Sequence, residues 1–117
     1  MVLPGLPAVK SMSSFDRQAE WLIDALGALD PEKYTLLKIG DTRAVPECEL
    51  NPSVTVSLDN DDKLGFFGVW QCGLCDYIVI SAQNETELAN YAGLEATEQT
   101  VPRYFSDFLA LLQISPE

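Results

Sequence analysis

The residues best equipped for chemistry lie in the run Trp70-Gln71-Cys72-Gly73-Leu74-Cys75. A Cys-x-x-Cys pair acts as a redox couple when a helix start lowers the first thiol's pKa, or it supplies half of a zinc site. Here β-rich sequence flanks the pair on both sides, so a hairpin turn is expected where a redox motif needs a helix. Zinc needs four ligands, and Cys48 is the one other thiol in the chain. Glu47 or Glu49 would have to complete a mixture that structural sites rarely use. Spacing without a second pair is weak evidence, and two small residues beside a turn is the stronger reading.

The carboxylates fare similarly. Asp59, Asp61 and Asp62 could open a calcium loop, but the sixth position from Asp59 is Leu64 and the twelfth is Trp70, where glycine and a bidentate glutamate belong. A turn built on short Asx side chains is expected instead. Glu85 with Glu87, or Glu95 with Glu98, could pair as acid and base, yet nothing in their spacing places them in an apolar pocket. Gly65, Gly68 and Gly73 form no phosphate cradle, because no following helix or adjacent cation accompanies them. The chain has no histidine, which removes Ser-His-Asp, Cys-His and His-ligated metal chemistry. The expectation is a protein without catalytic residues, metal or cofactor.

Charge is the more informative property. Eighteen acidic and seven basic residues give a net charge of −11 in 117 residues. Such a surface repels nucleic acid and anionic lipid and favours a basic partner. Residues 59–117 carry ten acids against Lys63 and Arg103, a net of −8, whereas residues 1–58 carry a net of −3. A field this lopsided speeds encounter with a cationic surface, although acidity also serves solubility alone.

These residues must be positioned by elements, and the pattern predicts them. Residues 13–29 read as a helix: Ser13 or Ser14 caps it, Asp16 and Glu20 suit its first turns, and Phe15, Ala19, Leu22, Leu26 and Leu29 share one face. Asp30-Pro31 stops it. Residues 34–39 form a short β-like run, and 41–52 a connecting loop. Val54, Val56 and Leu58 alternate with Ser53, Thr55 and Ser57 as in a half-buried strand. Residues 64–71 and 75–81 continue a meander through turns at 59–62 and 72–74. The polar stretch after Ser81 reads as a loop holding a short helix or an edge strand. Val101-Pro102 opens a final helix, with Tyr104, Phe105, Phe108, Leu109, Leu111 and Leu112 on its apolar face. The expected fold is α+β: an antiparallel meander of about four strands with an N-terminal and a C-terminal amphipathic helix, largely on one face of the sheet. Residues 1–12 read as an extended arm preceding one domain over 13–117. Two prolines interrupt the apolar start, no stretch reaches the ~18 residues of a membrane helix, and an odd cysteine count suits a reducing compartment, so a cytoplasmic protein is expected.

Within the meander, a core-facing set of Cys75, Tyr77 and Val79 turns Asp76, Ile78 and Ile80 to the other face, with Trp70 and Gly68 beside them. That face is either an open binding patch or is covered by the second helix; both arrangements stay open at this stage.

The run Phe67-Gly68-Val69-Trp70-Gln71-Cys72-Gly73-Leu74-Cys75-Asp76-Tyr77 resembles the hairpin of TriTu-type immunity proteins. Trp70, Gly73 and Asp76 match that pattern, while Cys72 stands where serine is usual and Cys75 where an aliphatic is usual. The order of helix, meander, polar segment and closing helix is similar too. The resemblance implies protection of a bacterium against an interbacterial toxin carried on an Rhs or type VI secretion effector, typically an ADP-ribosyltransferase acting on a translation factor. It implies a one-to-one complex that occludes a basic or NAD-binding cleft. Trp70 and Asp76 are the contacts the pattern supports; Asp59, Asp61, Asp62 and Ile78 join them on charge and exposure. A type III secretion chaperone that wraps an extended effector segment is the competing reading, ahead of a nucleic-acid mimic and a thiol oxidoreductase.

Overall fold

The structure, a computed structural model, describes residues 13–43 and 51–114. The extended arm expected over 1–12, and Glu47, Cys48 and Glu49, lie outside the described residues.

The first helix, α1 (Ser14–Gly27), forms where the sequence combines a cap with an apolar stripe. The Ser13 hydroxyl accepts the backbone N–H of Asp16 at 3.0 Å, and Phe15, Ala19, Leu22 and Leu26 are buried. Asp30 caps a single 3₁₀ turn, Pro31–Lys33, which redirects the chain into the sheet. Five strands follow: β1 (Leu36–Asp41), β2 (Ser53–Asp59), β3 (Lys63–Trp70), β4 (Leu74–Ser81) and β5 (Glu87–Glu95). They pair antiparallel in chain order, a plain meander. About four strands were expected; the fifth is the polar segment after Ser81, which proves to be the edge strand. The closing helix, α2 (Thr100–Leu112), has no cap at Gln99. Thr97 takes that role, its hydroxyl accepting the N–H groups of Gln99 and Thr100 while its own N–H donates to the Thr100 hydroxyl.

Both helices pack on one face of the sheet. Val54, Val56 and Leu58, Phe67 and Val69, and Cys75, Tyr77 and Val79 point into this core. Phe67 is its centre, with ring centroids 5.2 Å from Phe105, 5.4 Å from Phe108 and 5.9 Å from Tyr77. Trp21 of α1 meets Phe105 edge-on at 5.8 Å and joins the helices. Arg43, just past β1, ties the sheet to α1: its guanidinium reaches Asp41 at 2.7 Å, Glu20 at 2.8 Å and Asp16 at 3.3 Å.

Candidate functional site

The side of the sheet away from the helices is built from the alternate residues of each strand. Register places Ile78 beside Phe66, Ile80 beside Leu64, and Asp76 beside Gly68 on β3 and β4. Lys38, Ser57 and Thr55 continue these rows on β1 and β2. Phe66, Trp70, Ile78 and Ile80 are half-buried and Leu64 is 44% exposed, because no element covers them among the described residues. Of the two arrangements left open by the sequence, the structure therefore has the open one. The result is an apolar strip of Leu64, Phe66, Ile78 and Ile80 with Trp70 at its far end.

Trp70 owes its position to a glycine. A Cβ on Gly68 would fall 2.5 Å from Cη2 and 2.6 Å from Cζ3 of the indole, so the ring lies flat over the bare backbone of its own strand. The Cγ2 of Thr55, 3.2 Å from the same point, walls the slot on the β2 side. An aromatic ring folded over a strand glycine covers backbone that would otherwise be wet and holds the indole in one orientation.

The acidic residues fall into two groups. Asp59 ends β2, and Asp61 and Asp62 belong to the β2–β3 turn. Asn60 organises it: its carbonyl oxygen accepts the N–H groups of Asp62 and Lys63 at 2.9 and 2.7 Å, and its amide donates to the Leu112 carbonyl at 2.7 Å. The Asp59 carboxylate accepts Gly65 N–H at 3.3 Å. Asp61 and Asp62 are left exposed. The Ala82 N–H donates to the Asp62 carbonyl at 2.8 Å, which brings the β4–β5 loop, with Glu85, against this turn. Lys63, the nearby cation, donates to the Gln113 side chain at 3.2 Å on the helix side, so it does not offset the acids on the open face. Asp76 lies at the opposite end, where its carboxylate accepts the Gly93 N–H at 2.8 Å.

The structure thus brings Trp70, Asp76 and Ile78 onto one face and sets Asp59, Asp61 and Asp62 at its rim, about 20 Å along the strand from Trp70 but only about 7 Å along it from the Ile78 row, at ~3.3 Å per strand residue. The contact set expected from sequence omits Leu64 and Phe66; both were legible from the alternation of β3, where Gly65, Phe67 and Val69 take the core side. Gly93 carried no signal, since its role depends on a partner strand.

The thiols stand apart. Cys75 is fully buried in the core and burial pushes its thiol up to about 12, with Asp76 adding to the shift. Cys72 is exposed in the β3–β4 turn, where Asn51 donates to its sulfur at 3.2 Å and accepts its N–H at 3.0 Å. Among the described residues no group of three His, Cys, Asp or Glu side chains could hold a metal, and no helix is long and apolar enough to cross a membrane.

A family model described as "Immunity protein TriTu" matches residues 16–111, a span that takes in all five strands and most of both helices. No curated protein matches the chain, and no solved structure does. The hairpin of Trp70, Gly73 and Asp76 resembles the same family, and the family match extends over most of the chain: it belongs to the TriTu immunity protein family.

Proposed function

We propose that the protein neutralises its cognate toxin by laying the open face of the sheet over the toxin's active-site cleft, in a one-to-one complex. The observation that carries this reading is an uncovered apolar strip with carboxylates at both ends, on a chain from a family of immunity proteins. Five strands at ~4.8 Å spacing and the eight residues of β3 at ~3.3 Å give a platform of roughly 19 by 26 Å. With side-chain relief and the rim turns, that approaches the ~800 Å² each partner contributes to a stable interface. The toxin class that fits is an ADP-ribosyltransferase acting on a translation factor. A cleft that grips the phosphates of NAD presents cationic groups, and Asp59, Asp61 and Asp62 are complementary to them. Trp70 and Ile78 supply the apolar contacts that close the cleft to NAD or to the target protein. The protein itself needs no catalytic group, metal or cofactor for this, and the cytoplasm is where such a toxin would act.

A rescue assay tests the reading. The chain is co-expressed in bacteria with the toxin domain encoded beside it, as wild type and as Ile78→Glu, whose charge lands in the middle of the apolar strip. Survival with wild type and death with a folded Ile78→Glu is the expected result. Survival with both moves the interface off this face, and death with wild type, joined to no binding of the folded toxin, sinks the immunity reading for that pair.

A further inference from the structure

We infer that Asp76 is a positioning residue for the open face, acting through Gly93 and not through its charge on the partner; the inference rests on the immunity reading above. The argument begins with the β4–β5 register. Cys75 pairs with Leu94, but Tyr77 pairs with Tyr91, so β5 carries one residue more than β4 across this interval. The surplus is a bulge at Ala92-Gly93, and Gly93 has a φ of +71°, which L side chains rarely adopt. A bulge frees a backbone N–H from the ladder. Here that N–H is Gly93's, and the Asp76 carboxylate accepts it at 2.8 Å.

The consequence reaches both faces. Because side chains alternate with a period of two, one surplus residue is what lets Leu94 and Tyr91 both lie on the core side. The Tyr77 and Tyr91 rings meet there at 5.0 Å. By the same step Asn90 pairs with Ile78 and lands on the open face, at the end of the Phe66–Ile78 row. Asp76 also sits beside Gly68, the glycine under the Trp70 ring. A single carboxylate thus holds the bulge that decides which residues of β5 border the apolar strip, next to the indole that ends it. The hydrogen bond needs an acceptor oxygen at this point; it does not need a negative charge.

That distinction is the test. Asp76→Asn keeps an acceptor oxygen and removes the charge, Asp76→Ala removes both, and Gly93→Ala leaves Asp76 intact but strains the bulge. The Cβ of an alanine at 93 meets nothing within 4 Å, so any effect comes from its φ alone. Each full-length variant is titrated into the purified toxin domain encoded beside it, at low and high salt, and exchange of the Gly93 amide proton is followed by NMR. The expected pattern is that Asn binds within about threefold of wild type with Gly93 still protected. Ala and Gly93→Ala both weaken binding about tenfold and lose that protection, as the loss of one hydrogen bond implies. If Asn weakens binding as much as Ala while Gly93 stays protected, Asp76 works by its charge and the proposal fails. If Ala releases Gly93 but binds normally, the bulge does not position the face and the proposal fails as well. Wild type that does not bind at all identifies the immunity reading, not the role of Asp76, as the failing step.

Discussion

Trp70 and Gly68 should behave as one unit, and the size of their coupling follows from the geometry. The half-buried indole removes about 100 Å² from water, taking half of the 150–250 Å² that large aromatics bury. At ~25 cal/mol/Å² that is at most about 2.5 kcal/mol, and a compact unfolded chain trims it to roughly 1.5–2 kcal/mol for Trp70→Ala. Gly68→Ala introduces a Cβ 2.5 Å from the ring, inside any ordinary contact, so the ring must lift. Most of the same burial is lost, offset by the ~0.5–1 kcal/mol that alanine gains over glycine in a strand, for a net cost of about 1 kcal/mol.

In the double variant the obstacle is gone. The nearest atom left to the new Cβ is then Thr55 Cγ2 at 3.2 Å, and the alanine should recover about 0.5 kcal/mol. The double variant should therefore cost about 1–1.5 kcal/mol where the singles sum to about 2.5–3 kcal/mol, a coupling near 1.5 kcal/mol. Urea melts followed by circular dichroism measure all four corners of the cycle, with the denaturant slope as a check that the unfolded state is unchanged. Additivity within ~0.5 kcal/mol would refute the claim that the ring depends on the bare glycine beneath it.

Three further outcomes follow from the same structure. Arg43 reaches three carboxylates with a side chain that is 21% exposed, so Arg43→Gln should cost about 1 kcal/mol at pH 7 in low salt and less in high salt. The Arg43 hydrogen bond holds the Asp41 carboxyl below its ordinary range; that stabilisation is complete above the unfolded value near ~4 and fades as pH falls through the lower folded value, so melts at pH 3 should show a smaller difference. Gln113 ends α2 with a φ of +61°, its N–H bonded to the Ala110 carbonyl and that of Ile114 to Leu109, a turn that favours glycine. Gln113→Gly should gain about 0.5 kcal/mol despite losing the Lys63 contact, read as a melting temperature higher by ~2–4 °C. Of the two described cysteines, only Cys72 should alkylate in the native state at pH 8, as resolved by mass spectrometry; labelling of Cys75 at a similar rate would contradict its burial and its thiol at about 12.

The helices and the central strands were legible because burial follows local period there. Phe15, Ala19, Leu22 and Leu26 repeat at helical spacing, and Val54, Val56 and Leu58 at strand spacing, and each set is buried. β5 was not, because two register shifts break its alternation and its apolar residues Leu88 and Tyr91 are 44% and 49% exposed. Which face carried Trp70 was legible from parity; that the face lay open was not, since that depends on where α2 packs. The bonds of Arg43 to Asp16 and Glu20 and the Asp76–Gly93 bond join residues 17 to 27 apart, and no local pattern records such partners.

The interrupted edge strand has a bearing on how the protein can be used by the cell. A flat outermost strand offers a neighbouring chain an unbroken row of donors and acceptors, the template on which sheets join and proteins aggregate. β5 offers no such row: its ladder shifts register twice, Gly93 turns backbone aside into the Asp76 carboxylate, and Glu87 and Glu95 place charge at its two ends. On the proposed reading, in which the apolar face stays bare for the toxin, an interrupted β5 keeps copies of the protein from joining along that edge before the partner arrives.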